Sequence, residues 1–209
     1  MPVLESNPIL EAFGNARTLR NDNSSRFGKF IELQFKQTGS LIGASIETYL
    51  LEKVRLVHQS EGERNFHIFY ELLASAMDDE REMFMLGDYT VKDFKMTNMS
   101  GTYDRRDGED DLDLFDELVF SMGTMGFEKE TQNDIFCCIA GFLHAFNLSF
   151  TAPTDASSKV DESNPHLDAT LKMLGLDKDS FQFTMTASMT LKLANKYSQR
   201  NPEGLGGVC

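Results

Sequence analysis

Two periodicities alternate along the chain, and their order predicts where helices give way to strands. Asn7 is placed to cap a short apolar helix, Pro8 suits its first turn because proline has no amide hydrogen to lose there, and Gly14 is a stop. Beyond it five short hydrogen-bonding side chains, Asn21, Asp22, Asn23, Ser24 and Ser25, run directly into Arg26, Gly28 and Lys29. Strand alternation then begins. Ile31, Leu33 and Phe35 alternate with Glu32, Gln34 and Lys36, Thr38 and Gly39 form a turn, and a second extended run spans 41–50. The pair predicts a hairpin, the one convincing sheet of the chain, and sets the polar run at a strand edge.

Helical spacing takes over afterwards. Phe66, Phe69, Tyr70 and Leu73 mark one helix face. From 77 to 101 the period weakens among charges and methionines, which predicts turns and short elements. Leu112, Phe115, Leu118, Val119 and Met122 line a further helix that Gly123 and Gly126 bring to an end. From Thr131, the positions Ile135, Cys138, Ile139, Phe142, Leu143 and Phe146 recur at helical spacing, with Thr131 and Asp134 as a capping-box-like start. Residues 151–164 are poor in large apolar side chains, predicting an exposed loop before a helix opened by Asn164-Pro165 and closed by Gly175. No internal repeat or heptad run interrupts this order. The fold class expected is α/β, mainly helical.

Composition narrows the partners. At 209 residues, 41% hydrophobic and 11% aromatic, the chain has material for one core. Its 33 acidic residues against 20 basic give a net charge of −13, which argues against nucleic acid as a partner and supplies no polybasic membrane patch. No apolar run approaches the roughly 20 residues that span a bilayer, and the N-terminus lacks a charged-then-apolar signal, so no integral membrane segment and an intracellular protein are expected. Cys137, Cys138 and Cys209 have no metal-ligand or disulfide spacing and read as reduced thiols. His58, His67, His144 and His166 are scattered; His67 and His144 sit among apolar residues, where packing explains them better than zinc does. The acidic stretch Asp104 to Glu117 fails the EF-hand spacing, and carboxylates at a helix start are ordinary dipole partners.

The polar run is where chemistry is concentrated. A triphosphate with magnesium needs hard oxygen ligands such as a serine hydroxyl, donors for anionic oxygens, and cations or ion pairs to fix the loop. Residues 21–29 carry all three. On composition alone, however, a polar run between a helix and a strand more often forms a solvated turn.

The full string decides between them. NPILEAFGNARTLRNDNSSRFGKF, residues 7–30, resembles the switch I element of myosin motors, and the resemblance continues through IETYLLEKVR at 46–55 and ERNFHIFYELL at 63–73. It persists more loosely in MGTMGF at 122–127 and GFLHAFNLSF at 141–150. The resemblance implies part of a myosin-type P-loop NTPase motor domain, with a few strands of its central sheet and several packed helices. Residues 1–193 would be the partial motor domain, with switch I at 21–30, sheet strands at about 29–51 and a helical upper-cleft region at about 64–193. Residues 194–209, ending GLGGVC, match nothing of the family at that point and form a divergent tail.

Carried over residue by residue, the resemblance implies that Asn21 contacts nucleotide phosphates and Ser25 helps coordinate magnesium. It places Ser24 beside the γ-phosphate, relaying a proton for the attacking water, and makes Arg26 a gate that pairs with a glutamate of a second switch. The implied cofactors are ATP and Mg2+; the implied partners are actin filaments and other myosin segments, in a cytoplasmic, cytoskeletal setting. Two departures matter. Asp22 replaces the usual middle asparagine, adding a negative charge near a polyanion, and is expected to point away from the phosphates. Phe146 stands where the family usually has glycine before Asn147, a sign of changed packing or a displaced element.

The rest of a nucleotide site is missing from these 209 residues. The only Gly-Lys pair, Gly28-Lys29, has Asn23 where a phosphate loop needs its first glycine and Phe30 where it needs a hydroxyl. Asp134-Ile135-Phe136 and Gly126-Phe127-Glu128 each match only part of a second switch. The chain alone is therefore expected not to hydrolyse ATP. The alternatives are a stand-alone, non-catalytic cytoskeletal interaction module or a truncated gene product, and a strand cut from a larger sheet would betray itself by uncovered apolar faces.

Overall fold

A computed structural model describes residues 6–75, 78–154 and 157–185. Helix α1 (Asn7–Gly14) turns into strand β1 (Asn15–Ala16), and a loop returns through β2 (Ser24–Ser25) to the hairpin β3 (Gly28–Phe35) and β4 (Leu41–Tyr49). A 3-10 turn (Lys53–Leu56) leads to α2 (His67–Ala74), the short helices α3 (Asp78–Met83) and α4 (Lys95–Asn98), and the longer α5 (Asp111–Thr124) and α6 (Lys129–Phe146). A second hairpin, β5 (Phe150–Thr154) and β6 (Ser157–Val160), precedes α7 (Leu167–Met173). The predicted tail at 194–209 lies outside the described residues.

The main core is assembled around α2. All of its residues from His67 to Leu73 are buried, because α1, α4, α5 and α6 pack on it from several sides. Helical spacing therefore marked only part of what is enclosed: Ile68 and Leu72, off the predicted face, are as buried as Phe69 and Tyr70. Residues 77–101 contribute more than turns, since Phe84, Leu86, Phe94 and Met96 are fully buried in the same core. The start of α2 is fixed by polar clamps. Arg64, completely enclosed, pairs with Asp111 at 2.8 Å and stacks 3.7 Å above the Tyr70 ring, while the Asn65 side chain donates to the Met96 carbonyl at 2.9 Å.

Several element ends differ from expectation. Ser6 takes the N-cap position of α1, so Asn7 is the first helical residue and its side chain instead accepts from Lys29 Nζ at 3.2 Å. Helix α6 begins at Lys129, which places Thr131 and Asp134 inside the helix and removes the capping-box reading. Its buried stripe is Gln132, Phe136, Ala140, Leu143 and His144, rotated from the predicted one, and Cys138 and Phe142 are exposed. The periodicity misleads here because both faces of α6 carry large apolar side chains. Gly126, at φ +90°, stops α5 as predicted, whereas Gly123 lies within the helix. Residues 151–164 were expected as an exposed loop, but within them β5 and β6 pair as a hairpin, with Phe150 opposite Val160 and Thr151 opposite Lys159. At Gly141, α7 comes so close to α6 that an added Cβ would lie 2.5 Å from Leu174 Cδ2 and 3.1 Å from Met173 Cβ.

The β3–β4 hairpin forms as predicted, with Ile31 opposite Ile46 and Leu33 opposite Ala44. Nothing among the described residues covers it. Leu33 is 46% exposed, Phe35 56% and Leu50 85%. Alternation that should bury one face thus leaves both faces open, although a two-stranded hairpin in isolation is marginal in water.

Candidate functional site

Gly14 ends α1, and the next two residues pair antiparallel with the two serines, Asn15 with Ser25 and Ala16 with Ser24. That short ladder, with Arg26 N donating to Gly14 O at 2.8 Å, pins the polar loop 17–23 at its base. Inside the loop, Asn21 and Thr18 lock together. Thr18 N donates to Asn21 O at 2.8 Å, and Asn21 N donates to Thr18 Oγ1 at 3.2 Å. Asn21 Oδ1 accepts from Asn23 N at 2.9 Å, an Asx-type turn of the kind that makes asparagine frequent in such loops. Asn23 anchors the loop to the core by donating to Glu11 at 2.7 Å and accepting from Asn15 at 2.8 Å.

Asp22 does not confront the site with an unbalanced charge. Its carboxylate lies 3.0 Å from Arg106 Nε and 3.4 Å from Arg17 Nε, and Arg17 continues to Asp104 at 2.9 Å. The substitution that looked troublesome in the sequence is thus half of an arginine clamp tying the loop to the segment before α5. Neither arginine was singled out in the sequence, because both lie far from Asp22 or in unremarkable polar context.

Ser24, Ser25 and Arg26 form the chemical end of the loop. Arg26 Nη1 donates to Ser24 Oγ at 3.2 Å, and Arg26 Nε donates to Glu52 Oε2 at 2.7 Å. Glu52 also accepts from Arg55 Nε at 2.8 Å. Burial works to raise the Glu52 carboxyl, but the hydrogen bonds from Arg26 and Arg55 outweigh it and hold the group below the usual carboxylate range. Glu52 is the functional-site residue that the sequence reading passed over. Its only sequence signal is the Glu-x-x-Arg spacing to Arg55, too common to assign a partner across 26 residues.

Ser25 is exposed, and its hydroxyl donates to Phe27 O at 2.9 Å. The proton is thereby committed and the oxygen retains lone pairs for a hard cation. A single hydroxyl fits Mg2+, which usually keeps several waters and takes its remaining ligands from phosphate. Among the described residues no three His, Cys, Asp or Glu side chains cluster to hold a metal by themselves. The structure therefore brings Ser24, Arg26 and Glu52 into one hydrogen-bonded chain, sets Ser25 next to it, and engages Asn21 locally with Thr18 and Asn23.

The two histidines read as packing residues are buried. His144 Nδ1 lies 2.9 Å from His166 Nδ1, and Asn147 Nδ2 reaches His166 Nε2 at 3.1 Å and the Asp93 carbonyl at 2.7 Å. Burial pushes His144 down to about 4, and burial lowers His166 as well. Asn147 is thus the junction of α4, α6 and α7, and Phe146 before it packs, half-buried, against the main core.

Comparison with known proteins gives this helix-ended polar loop, with its two serines and its arginine, a lineage. Residues 1–202 match the myosin head (motor domain) family. The chain belongs to that family. It is 47% identical over 178 residues to Myosin-17 of Arabidopsis thaliana, covering 84% of this chain and 11% of that protein. It is 45% identical over 175 residues to unconventional myosin-Vc of Homo sapiens, covering 84% and 10% respectively. With the myosin IB heavy chain of Dictyostelium discoideum it shares 40% identity over 206 residues, 99% of this chain and 17% of the other. The chain thus spans between a tenth and a fifth of the length of these curated relatives. No helix among the described residues is long and apolar enough to cross a membrane.

Proposed function

We propose that this chain is the switch I-bearing portion of an actin-based, cytoplasmic cytoskeletal motor with a P-loop NTPase fold. The observation that carries the reading is the hydrogen-bonded chain Ser24–Arg26–Glu52, with the Ser25 hydroxyl beside it, in a loop clamped at both ends. In this reading Ser25 contributes one ligand to Mg2+, and Asn21 and Ser24 contact the phosphates of ATP. The metal, when bound, neutralises phosphate charge that this loop could not balance alone. Ser24 accepts from Arg26, so its own proton is available for donation toward a phosphate oxygen. Arg26 is partly exposed, and its pairing with Glu52 orients the guanidinium until a glutamate of a second switch competes for it. That exchange would exclude water from the site as the loop closes.

The uncovered β3–β4 hairpin supports a segment of a larger sheet over a stand-alone module, since Phe30, Leu33, Phe35 and Leu50 would face solvent in a module. By itself the chain holds neither a phosphate loop nor a second switch and should turn over no ATP. The test is a chimaera in which residues 7–185 replace their counterpart in the Dictyostelium myosin IB heavy chain. It should retain magnesium-dependent, actin-stimulated ATP turnover and lose it with Arg26→Ala. An inactive but folded chimaera, or one indifferent to Arg26→Ala, overturns the reading, as does magnesium-dependent turnover by the isolated chain that Ser24→Ala abolishes.

A further inference from the structure

Behind the loop lies a cavity of about 490 Å3 whose charges do not balance. Its walls come from α1, α2, α5 and the segment before α5, and Asn23 is the wall it shares with the switch loop. Five carboxylates line it, those of Glu11, Glu71, Asp107, Glu109 and Glu117, against the single guanidinium of Arg105. Arg105 is committed to Asp107, with Nη2 to Oδ2 at 2.6 Å and Nε to Oδ1 at 3.0 Å. No ion pair within the described residues reaches the other four.

Glu71 is the group that makes this more than an acidic patch. It is 3% exposed, and its Oε2 is fully enclosed with no hydrogen-bond partner. His67, one turn earlier on the same helix and 1% exposed, turns Nδ1 toward Arg105 Nη1 at 3.5 Å and leaves its Nε2–H without a partner. A buried carboxyl without a donor costs roughly 1–3 kcal/mol or more, so its retention here needs a donor that the described residues do not supply. The acidic lining and the unmet acceptor on Glu71 favour a cation that carries N–H donors.

We propose that the cavity is a socket for the guanidinium or ammonium group of a basic side chain, carried by a segment of the myosin heavy chain outside these 209 residues. The proposal rests on family membership and on the cavity, and it does not depend on the nucleotide reading of Ser24 and Ser25. The relatives supply the necessary length, since about nine-tenths of Myosin-17 lies beyond the matched region. The cation would sit between Glu71 at the base and Glu117 at the rim, with Glu11 linking it to Asn23 and so to the loop.

Burial, reinforced by Asp111 and Glu11 and opposed by Arg64 and Arg105, pushes the Glu71 carboxyl up to about 8. His67 is held neutral down to about 3, chiefly by burial, and Glu117 completes the groups lining the wall around Glu71. A cation must therefore capture the ionised minority of Glu71 at neutral pH.

The experiment titrates N-acetyl-arginine amide, and its uncharged isostere N-acetyl-citrulline amide, into the 209-residue chain while NMR shifts of His67 and Glu71 are followed. The arginine compound should bind saturably and the citrulline compound should not. Affinity should fall about a hundredfold from pH 9 to pH 6, following the ionised fraction of Glu71. Glu71→Gln, which mimics the uncharged acid and so preserves the fold, should weaken binding roughly tenfold or more and remove the pH dependence. Glu117→Gln on the exposed rim should weaken it a few-fold. Equal binding of the two compounds, a flat pH profile, unchanged affinity in Glu71→Gln, or no saturable shift at tens of millimolar overturns the socket.

Discussion

Helix α2 and the β3–β4 hairpin are both short, both rich in apolar side chains and separated by 17 residues of the chain, yet one is enclosed on every side and the other stands largely open. Every residue of α2 from His67 to Leu73 is buried, whereas Leu33 and Phe35 across the hairpin stand about half exposed. The difference is one of company. Helix α2 meets α1, α4, α5 and α6 within this chain, so its hydrophobic surface is removed from water at roughly 25 cal/mol per Å2. Beyond the Lys29–Asn7 bond at its base, the hairpin makes mainly its own ladder, which fixes register but removes little apolar surface. The polar loop before β3 is tied to both: Asn23 reaches Glu11 in the core, and Arg26 reaches Glu52 just beyond β4.

The contrast can be broken most forcefully from the core side. Leu72→Ala, in a side chain with no exposure, should destabilise the chain by about 3 kcal/mol in urea denaturation, the cost of lost transfer plus a cavity. The next effect is in pH. The Glu71 carboxyl is raised from 4.5 to about 8 in the folded chain, so the native state holds the proton that the unfolded chain has released, and stability falls as pH rises between those values. His67, lowered from 6.5 to about 3, acts oppositely at lower pH, with stability falling as pH drops below 6.5. From pH 7 to 8 the histidine contribution is nearly complete and Glu71 dominates. Its share of the stability should drop there by about 1 kcal/mol, a loss that Glu71→Gln should remove.

Smaller changes sharpen the link and the hairpin. Glu52→Gln should cost no more than about 1 kcal/mol, because the Arg26 pair is partly solvated, while broadening the amide signals of Ser24 and Ser25 as the guanidinium loosens. Leu33→Ser should change stability by less than about 0.5 kcal/mol and raise the concentration at which the chain aggregates. A loss of 2 kcal/mol or more there would mean that the hairpin already has a partner surface within the chain.

Much of this organisation can be read from residue order, and the misreadings have physical causes. The α1 stop at Gly14, the β3–β4 hairpin and the α5 stop at Gly126 follow from local backbone preferences that tertiary structure leaves intact. The face of α6 was misjudged because Phe142 and Cys138 belong to a second apolar stripe that the described residues do not cover, so periodicity alone could not rank the two. The β5–β6 hairpin escaped notice because its pairing is made by the backbone of threonines and serines, without an apolar alternation to announce it. At the site, the string Asn21 to Arg26 is legible as a motif. Its supports are not: Glu52, Arg17, Arg106 and Glu11 act across the fold, and no local pattern binds them to the loop.

Amide hydrogen exchange measured on the isolated chain, and on the same sequence within a complete myosin heavy chain, tests the contrast between enclosed helix and uncovered hairpin most directly. The amides of α2 should exchange only through global unfolding in both settings, while those of β3 and β4 exchange rapidly in the isolated chain and become protected by at least about a hundredfold in the longer protein. Hairpin amides already as protected as those of α2 in the isolated chain would contradict the account.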